Sequence, residues 1–400
     1  MINKSEVLVP QPRLGITLYV TTLIVMMTVQ WMTLDMYLPA LPVLKVEFGA
    51  SEALLNISLN SDLFACAVGT LIGGTISDKY GRNPIMIIGL LLAGLPLLAA
   101  AFAQGVWLLT VMRGLSGLGG GFALTVAAAI VRDSFKGRTF QTVTTLTQAA
   151  AVIGPLFAPA IGAFLIEYLS WRWIFLLEGG AILITLFPFL VSQETWPEEK
   201  RQVENVLQAT LQTFSIVRNS KLLAFIGTTM LITIPMWAYL AVCSYVYYDF
   251  FGVSNLEYVV LYALGSLVSF TAPFLYMVLS RIANAKKTAV TTMAMLAAAA
   301  LLFGTVGPKA PILFLIAMIP VFLAEGIIRT LGTVEVLNRY HDEAGSASAV
   351  FGFALLIISV PATAIATVGW GSFIMGITVI TGGSVIAAAL LWIYGRKFLG

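Results

Sequence analysis

The chain has 400 residues, of which 59% are hydrophobic and only 10% are charged, and its mean hydropathy is +0.94. Soluble globular domains carry about 25% charged residues, so this composition excludes a soluble globular protein and predicts a chain that lies in a lipid bilayer. The net charge of +3 is too small and too scattered to indicate a nucleic-acid-binding protein. Its distribution is instead informative about orientation across the membrane.

The sequence offers no disulfide framework and no cluster of metal ligands. Cys66 and Cys243 lie inside apolar runs, where buried, reduced side chains are expected. The single histidine, His341, lies in a polar segment beside Asp342 and Glu343, where a solvated residue is the simpler interpretation. We therefore expect neither a metal ion nor another cofactor.

Apolar runs of about 20 residues, long enough to cross a bilayer as helices, recur twelve times. The predicted spans cover residues 15–38, 53–76, 84–103, 107–131, 139–166 and 172–192, and then 220–248, 256–280, 288–305, 311–337, 345–367 and 371–394. Residues 193–219 form the longest polar stretch and include an expected amphipathic surface helix through Val217. We predict an all-α membrane protein with pseudo-symmetric six-helix bundles over residues 1–192 and 220–400, joined by a linker over 193–219.

The distribution of basic residues predicts the orientation of these spans. Seventeen of the 22 Lys and Arg residues fall on the linker's side of the membrane. Three fall on the opposite side and two inside spans: Lys45, Arg172 and Lys309, and then Arg113 and Arg329. Because cytoplasmic segments are enriched in Lys and Arg, we expect the linker and both termini to be cytoplasmic.

A short charged segment, residues 74–84, separates spans 2 and 3. Its pattern, G-x-x-x-D-x-x-G-R-x-P, packs two cations, one acid, two glycines and a proline into a predicted tight turn at the membrane surface. A degenerate copy at residues 280–287 follows roughly 205 residues later. Other matching positions are Arg132 with Arg339 and Pro155 with Pro361. These matches indicate duplicated six-helix halves, an architecture in which secondary transporters bind substrate near the bilayer midplane.

Four motifs resemble those of the major facilitator superfamily of secondary transporters. The first is the charged segment, whose matching residues Gly74, Asp78, Gly81 and Arg82 resemble the gating loop of that family. Residues 35–42, D-M-Y-L-P-A-L-P, resemble the drug:proton antiporters of the bicyclomycin and chloramphenicol resistance branch. Residues 113–121 resemble the R-x-x-x-G-x-x-x-G motif associated with proton coupling. A motif typical of antiporters and largely missing from importers is matched by Gly154, Pro155, Pro159 and Gly162.

Charged side chains inside spans are functional hypotheses, because each costs at least about 2.5 to 3.5 kcal/mol at the membrane centre. They are Asp35, Asp62, Arg113, Glu178, Glu325, Arg329 and Glu335. Helical rise places Asp35, Arg113 and Asp62 roughly 30, 28 and 23 Å from the cytoplasmic ends of their spans. We predict that these three form a proton-coupling site, in which Asp35 pairs with Arg113. The alternative is that Asp35 caps its helix or faces water.

The other intramembrane charges allow both structural and functional readings. Glu325 and Arg329 are spaced i,i+4, so they can pair with each other or line a substrate cavity. Glu178 is either a cavity acid or an interfacial group. Glu335 is four residues before Arg339, which favours a salt bridge at the cytoplasmic edge.

The helix face that carries Asp35 also presents apolar and aromatic side chains suited to lipophilic compounds. The predicted cavity residues are Met27, Thr28, Trp31, Gln148, Trp237, Tyr239, Glu325 and Arg329. The alternative for the span 1 residues is packing against lipid or a neighbouring helix. Five aromatic residues at the outer end of span 7, Tyr245, Tyr247, Tyr248, Phe250 and Phe251, are typical of a membrane-interface belt rather than a ligand site.

The resemblance implies a multidrug efflux transporter that exchanges small lipophilic drugs, neutral or cationic, for protons by alternating access. It would be driven by the proton gradient, would work as a monomer in the bacterial inner membrane, and would confer antibiotic resistance. A proton-coupled sugar or metabolite transporter of the same fold is the alternative. A membrane enzyme is disfavoured, because the sequence shows no Ser/His/Asp set, metal motif or nucleotide loop. A sensor without transport would not require seven intramembrane charges.

Overall fold

A computed structural model describes residues 4–201, 210, 219–339 and 344–399. The helices before the linker are α1 (Ile16–Asp35), α2 (Leu41–Glu47), α3 (Glu52–Tyr80), α4 (Arg82–Ala100), α5 (Val106–Ser134), α6 (Gly137–Tyr168) and α7 (Arg172–Val191). Those after it are α8 (Ser220–Tyr245), α9 (Asn255–Ile282), α10 (Ala285–Thr305), α11 (Pro311–Arg339), α12 (Ala344–Ile357), α13 (Ser359–Ala366) and α14 (Phe373–Gly395). The described part of the chain has no β-strand beyond one bridge between Val7 and Phe135.

Each of the twelve predicted spans corresponds to helix in the structure. Among the described residues, eleven helical segments are long and apolar enough to cross a membrane. The remaining predicted span, the fifth, is α6, whose stretch Gly154–Tyr168 is apolar. The eleventh span comprises α12 and α13, which meet at Ile358. The predicted all-α, membrane-spanning fold is confirmed.

Three details differ from the sequence prediction or lie beyond the structure. The segment over residues 74–84 is mostly helical, because α3 continues to Tyr80 and α4 begins at Arg82. The turn is confined to Gly81, whose φ of 98° lies in the left-handed region that favours glycine. The short helix α2 was not predicted, and the amphipathic helix expected through Val217 lies outside the described residues apart from isolated positions.

The contacts of the chain divide it into two compact units. Unit 1 comprises Met1–Ala40 and Ser61–Leu211, and unit 2 comprises Leu41–Asn60 and Gln212–Gly400. The helix α3 therefore contributes its first residues to unit 2 and the remainder to unit 1. The predicted bundle boundaries at residues 192 and 220 stay a prediction.

The helix pairs that pack in unit 1 recur in unit 2 six spans later. In unit 1, α4 packs against α5 and α7, and α1 packs against α6 and α7. In unit 2, α10 packs against α11 and α14, and α8 packs against α13 and α14. The α3 and α5 pair of unit 1 likewise corresponds to the α9 and α11 pair of unit 2. These matched pairs confirm the predicted internal repeat.

Glycines set the close approach of helices within unit 1. A Cβ atom at Gly69 on α3 would overlap the backbone carbonyl of Leu118 on α5. A Cβ atom at Gly162 on α6 would overlap the carbonyl of Met36, just after α1. Small residues at such crossings let membrane helices pack backbone to backbone.

The aromatic cluster at the end of α8 does not form the predicted membrane-interface belt. Tyr245 and Tyr247 are 0% exposed, so the prediction is wrong for these two residues. The ring of Tyr247 contacts Tyr258 and Phe314, because a π-helix over Val246–Phe250 redirects the side chains at this point. Both tyrosines are core residues of unit 2.

Candidate functional site

Helices α3 and α5 of unit 1 bring Asp62 and Arg113 together inside the protein. The Nη2 atom of Arg113 lies 3.7 Å from Oδ2 of Asp62, and the two side chains are 0% and 7% exposed. Gly117, one turn after Arg113, permits this approach, because a Cβ atom there would overlap the backbone carbonyl of Asp62. The structure therefore forms an ion pair between two of the three predicted proton-coupling residues.

The third predicted residue, Asp35, lies at the end of α1 close to this pair. It is the last residue of α1 and is 5% exposed. Tyr37, two residues later, lies under Arg113, whose guanidinium carbon is 4.2 Å from the centre of the tyrosine ring. This cation–π contact places the end of α1 at the Arg113 side chain. A direct pairing of Asp35 with Arg113 stays a prediction.

A third acid, Glu178 of α7, lies near the same arginine. Its side chain is 0% exposed, and neither carboxylate oxygen has a hydrogen-bond partner among the described residues. It lies close enough to Arg113 and Asp62 to interact electrostatically with both. The burial of Glu178 argues against the interfacial group, and its role as a cavity acid stays a prediction.

Two of the predicted cavity residues of α1, Thr28 and Trp31, lie at its contact with α6. Met27 is 8% exposed, and the hydroxyl group of Thr28 donates a hydrogen bond to the carbonyl of Ile24 at 2.8 Å. A Cβ atom at Gly154 of α6 would lie 2.7 Å from the carbonyl oxygen of Thr28 and 3.3 Å from Cβ of Trp31. The glycine of the antiporter motif thus lets α6 pack closely on these residues. The side chain of Gln148 lies outside the described residues.

The predicted cavity residues of unit 2 lie in two places. Trp237 is half-buried on α8, whereas Tyr239 is 1% exposed and its ring contacts those of Phe314 and Phe322. A ligand could reach Tyr239 only after these rings move. On α11, Nη1 of Arg329 lies 3.6 Å from Oε1 of Glu325, so the pairing expected from their spacing is present.

The residues of the predicted gating loop form a tight network around Arg82. Its Nη1 atom lies 2.5 Å from Oδ1 of Asp78 and donates to the hydroxyl group of Ser77 at 2.7 Å. Its Nε atom donates to Oδ2 of Asp133, at the end of α5, at 2.9 Å. Gly74, one turn before Asp78, lies against Thr125 of α5. The loop is therefore fixed to the C-terminal end of α5 as well as to itself.

The segment that follows α7 completes this network. One oxygen of Glu194 accepts hydrogen bonds from the backbone N–H groups of Arg82, Thr195 and Trp196, each at 2.9 Å, and the other accepts from the N–H group of Asn83 at 3.1 Å. The carboxylate thus caps α4, where backbone donors have no helical partner. The ring of Trp196 lies 4.6 Å from the Arg82 guanidinium carbon, and its Nε1 donates to the carbonyl of Asp78 at 3.1 Å.

Four residues that complete these two sites were not predicted from the sequence. They are Tyr37, Asp133, Glu194 and Trp196. Tyr37 belongs to the quoted D-M-Y-L-P-A-L-P motif, and the other three lie at the ends of predicted spans, where few polar side chains are available. The scarcity of polar side chains at the span ends could have pointed to these residues. Only the fold shows which arginine each of them contacts.

Comparison with known proteins decides the family. Residues 23–363 match the sequence profile of the Major Facilitator Superfamily. The chain belongs to this superfamily. The uncharacterized MFS-type transporter YdgK of Bacillus subtilis is 29% identical over 336 residues, which are 82% of this chain and 83% of that protein. The multidrug resistance protein MdtL of Escherichia coli is 26% identical over 363 residues, 90% of each chain.

Solved structures of the superfamily share the fold. The crystal structure of a D-xylose-proton symporter matches with a TM-score of 0.71 at 17% identity, over 94% of this chain and 97% of that chain. Membership and fold together identify this Major Facilitator Superfamily chain as a multi-pass membrane transporter.

Proposed function

We propose that this transporter exports small lipophilic drugs, neutral or cationic, in exchange for protons by alternating access. The observation that carries the proposal is the buried contact between Asp62 and Arg113, with Tyr37 from the end of α1 against the same guanidinium group. A buried acid beside a buried cation can bind or release a proton as its surroundings change. Such a group can couple a proton to a substrate when each alters the binding of the other.

The direction of transport is supported by the contact of α6 with α1. Gly154 and Gly162, two positions of the antiporter motif, are the points at which α6 approaches the backbone of the α1 segment. The similarity to MdtL, a multidrug resistance protein, supports drugs as the substrate class. The apolar and aromatic side chains Met27, Trp31 and Trp237 suit lipophilic compounds better than sugars.

The working state that follows is a monomer in the bacterial inner membrane, with the linker and both termini in the cytoplasm. Its partners are protons, the drug and the surrounding lipid, and it requires no cofactor because the proton gradient drives transport. Nucleic acid has no part in this function. The fold itself serves sugar and nucleoside transporters equally well, so a proton-coupled sugar or metabolite transporter is the outcome to be excluded.

Inverted membrane vesicles with an acidic lumen test the proposal. Tetraphenylphosphonium as a lipophilic cation and chloramphenicol as a neutral compound are added in turn, and lumenal pH is followed with a fluorescent dye. Export into the lumen in exchange for protons raises the lumenal pH. We expect this response in the parent protein and its loss in Asp35→Asn and in Asp62→Asn.

The matched control is Glu335→Gln, which neutralises an acid that is paired with Arg339 at 3.4 Å near the cytoplasmic edge. This variant should respond like the parent. A folded and inserted parent that responds to sugars or nucleosides, and to neither drug, would contradict drug export. Equal responses of the parent and both aspartate variants would contradict the assignment of the proton site.

A further inference from the structure

One buried acid has no role in the site proposed above. Glu178 is fully buried on α7, and both of its carboxylate oxygens are without a hydrogen-bond partner among the described residues. An ionised carboxylate in such a position is very unfavourable unless a nearby cation compensates it. A purely structural glutamate at a helix contact would instead use its oxygens to accept hydrogen bonds. Glu178 therefore needs either a proton or a cation.

The position of Glu178 in the membrane matches that of Arg113. Six residues separate it from Arg172 at the outer end of α7, a rise of about 9 Å. Seven residues separate Arg113 from Val106 at the outer end of α5, a rise of about 10 Å. The two groups therefore lie at similar depth.

Aromatic contacts connect the two groups laterally. Phe175, one turn before Glu178 on the buried face of α7, has its ring centre 5.8 Å from that of Tyr37. The same tyrosine ring lies under the guanidinium group of Arg113. This chain of contacts brings the turn of α7 that carries Glu178 to the arginine site.

The charges around Glu178 single out Arg113 as its cation. It interacts electrostatically with Arg113 and Asp62. Other ionisable groups on α7 and on the helices packed against it are Arg172 of α7 itself, Tyr19 and Asp35 of α1, Arg82 of α4, and Arg138, Glu167 and Tyr168 of α6. Arg82 and Arg138 lie at the cytoplasmic ends of their helices, and Arg172 begins α7 at the outer end. Asp35 is an acid and cannot neutralise a carboxylate.

We propose that Glu178 is a second proton-binding group of the transporter and that it alternates with Asp62 as the partner of Arg113. One guanidinium group neutralises one of the two carboxylates, and the other carboxylate then binds a proton from water on the outer side. When a cationic substrate replaces Arg113 beside Asp62, Arg113 pairs with Glu178, the O–H bond of Glu178 breaks, and its proton passes to water on the cytoplasmic side. Each step forms or breaks one O–H bond and moves one proton. The inference rests on the proposed proton antiport.

The proton count of substrate binding tests the first part of the inference. Binding of tetraphenylphosphonium to the purified full-length protein is measured over a range of pH. By linkage, the decrease in log Kd per pH unit, taken here as the slope, equals the number of protons released on binding. We expect Glu178→Gln to lower this slope by about one proton relative to the parent, because the amide cannot titrate. Glu335→Gln, the control, should keep the slope of the parent.

Infrared difference spectra test the exchange of partners. A protonated carboxyl group gives a carbonyl stretch that an ionised one lacks, so the band lost in Glu178→Gln identifies Glu178. In Asp62→Asn, Arg113 loses Asp62 as a partner and can pair with Glu178, so we expect the band of protonated Glu178 to weaken. Glu178→Asp keeps a carboxyl group, so it should keep a corresponding band of a protonated carboxyl group. A side chain that only fills space would not need to be protonated.

The outcomes separate this inference from the proposed function. A parent slope of zero, with tetraphenylphosphonium bound, contradicts proton antiport itself and the inference with it. A positive parent slope that Glu178→Gln leaves unchanged overturns the inference and leaves the proposed function standing. If Glu178→Gln fails to fold, Asp62→Asn decides the question. If the carboxyl bands of Asp62→Asn equal those of the parent, apart from the band of Asp62 itself, the inference is overturned.

Discussion

Two buried arginines of unit 1 are surrounded by acids in different ways. Arg82, the first residue of α4, lies 2.5 Å from Asp78 and 2.9 Å from Asp133, within the range of strong charge-assisted hydrogen bonds. Arg113, inside the membrane-spanning part, lies 3.7 Å from Asp62, beyond that range. The first arrangement fixes two helices and a turn in place, whereas the second is the looser contact on which we base the proposed exchange of partners.

The polar surroundings reinforce this difference. Around Arg82, Glu194 accepts four backbone N–H groups, and Trp196 covers the guanidinium group. Near Arg113, Oδ1 of Asp62 and both oxygens of Glu178 have no hydrogen-bond partner among the described residues. Groups that lack fixed hydrogen bonds are free to take up and release protons without breaking other structure. The comparison therefore supports a structural role for Arg82 and agrees with the coupling role that we propose for Arg113.

The largest effect is expected from Arg113→Gln. Without the arginine charge, Asp62 and Glu178 can bind protons to become neutral, and no cation remains to displace those protons. We expect proton-driven transport to be lost while the melting temperature in detergent changes little. A fall in melting temperature as large as that of the corresponding Arg82 variant would show that both arginines are structural.

The next effect is expected from Arg82→Gln. This change leaves Asp78 and Asp133 without their shared cation and removes the contact with Trp196, which should destabilise the fold by about 3 to 5 kcal/mol. Denaturant or thermal unfolding of the purified protein measures it. Stability equal to that of the parent would contradict the structural role of the network.

A smaller effect is expected from Glu194→Ala. The substitution removes the carboxylate that caps α4, and loss of a helix cap costs about 1 to 2 kcal/mol. Unfolding measurements on Glu194→Ala and Glu194→Gln together separate the cap from its charge, because the amide oxygen can still accept hydrogen bonds. A Glu194→Ala variant as stable as the parent would show that the cap contributes nothing.

The smallest effect is expected at an ion pair of unit 2 that lies partly in water. Lys45 Nζ lies 2.6 Å from Glu52 and 3.3 Å from Asp249, with 36% of its own side chain exposed. Lys45→Met should therefore cost no more than about 1 kcal/mol, and the cost should shrink at high salt. A loss of stability close to that of Arg82→Gln would contradict the expected difference between buried and exposed ion pairs.

Much of this arrangement follows from sequence because it depends on local rules. Apolar runs predict the spans, and i,i+4 spacing predicts the pairs of Glu325 with Arg329 and of Glu335 with Arg339. Helical rise places Asp62 and Arg113 at similar depth, and the structure forms that pair.

The remainder depends on how helices are rotated and packed, which depth alone does not determine. Glu194 caps a helix that begins more than a hundred residues before it, and Tyr37 reaches Arg113 from the turn that follows α1. Tyr245 and Tyr247 resemble interface residues by composition, yet both are buried in unit 2, Tyr245 at the end of α8 and Tyr247 in the π-helix that follows. The role of Glu178 could not be assigned from sequence, because it depends on which side chains the fold places around it.

The most direct test of the central claim compares proton-driven transport with proton-independent exchange in Asp62→Asn. Proteoliposomes preloaded with tetraphenylphosphonium report exchange by counterflow, and an imposed pH gradient reports coupled accumulation. We predict that Asp62→Asn keeps counterflow and loses accumulation, because the neutral amide occupies the site but carries no proton. Accumulation at the parent level in Asp62→Asn would contradict the assignment of the Arg113 site to proton coupling.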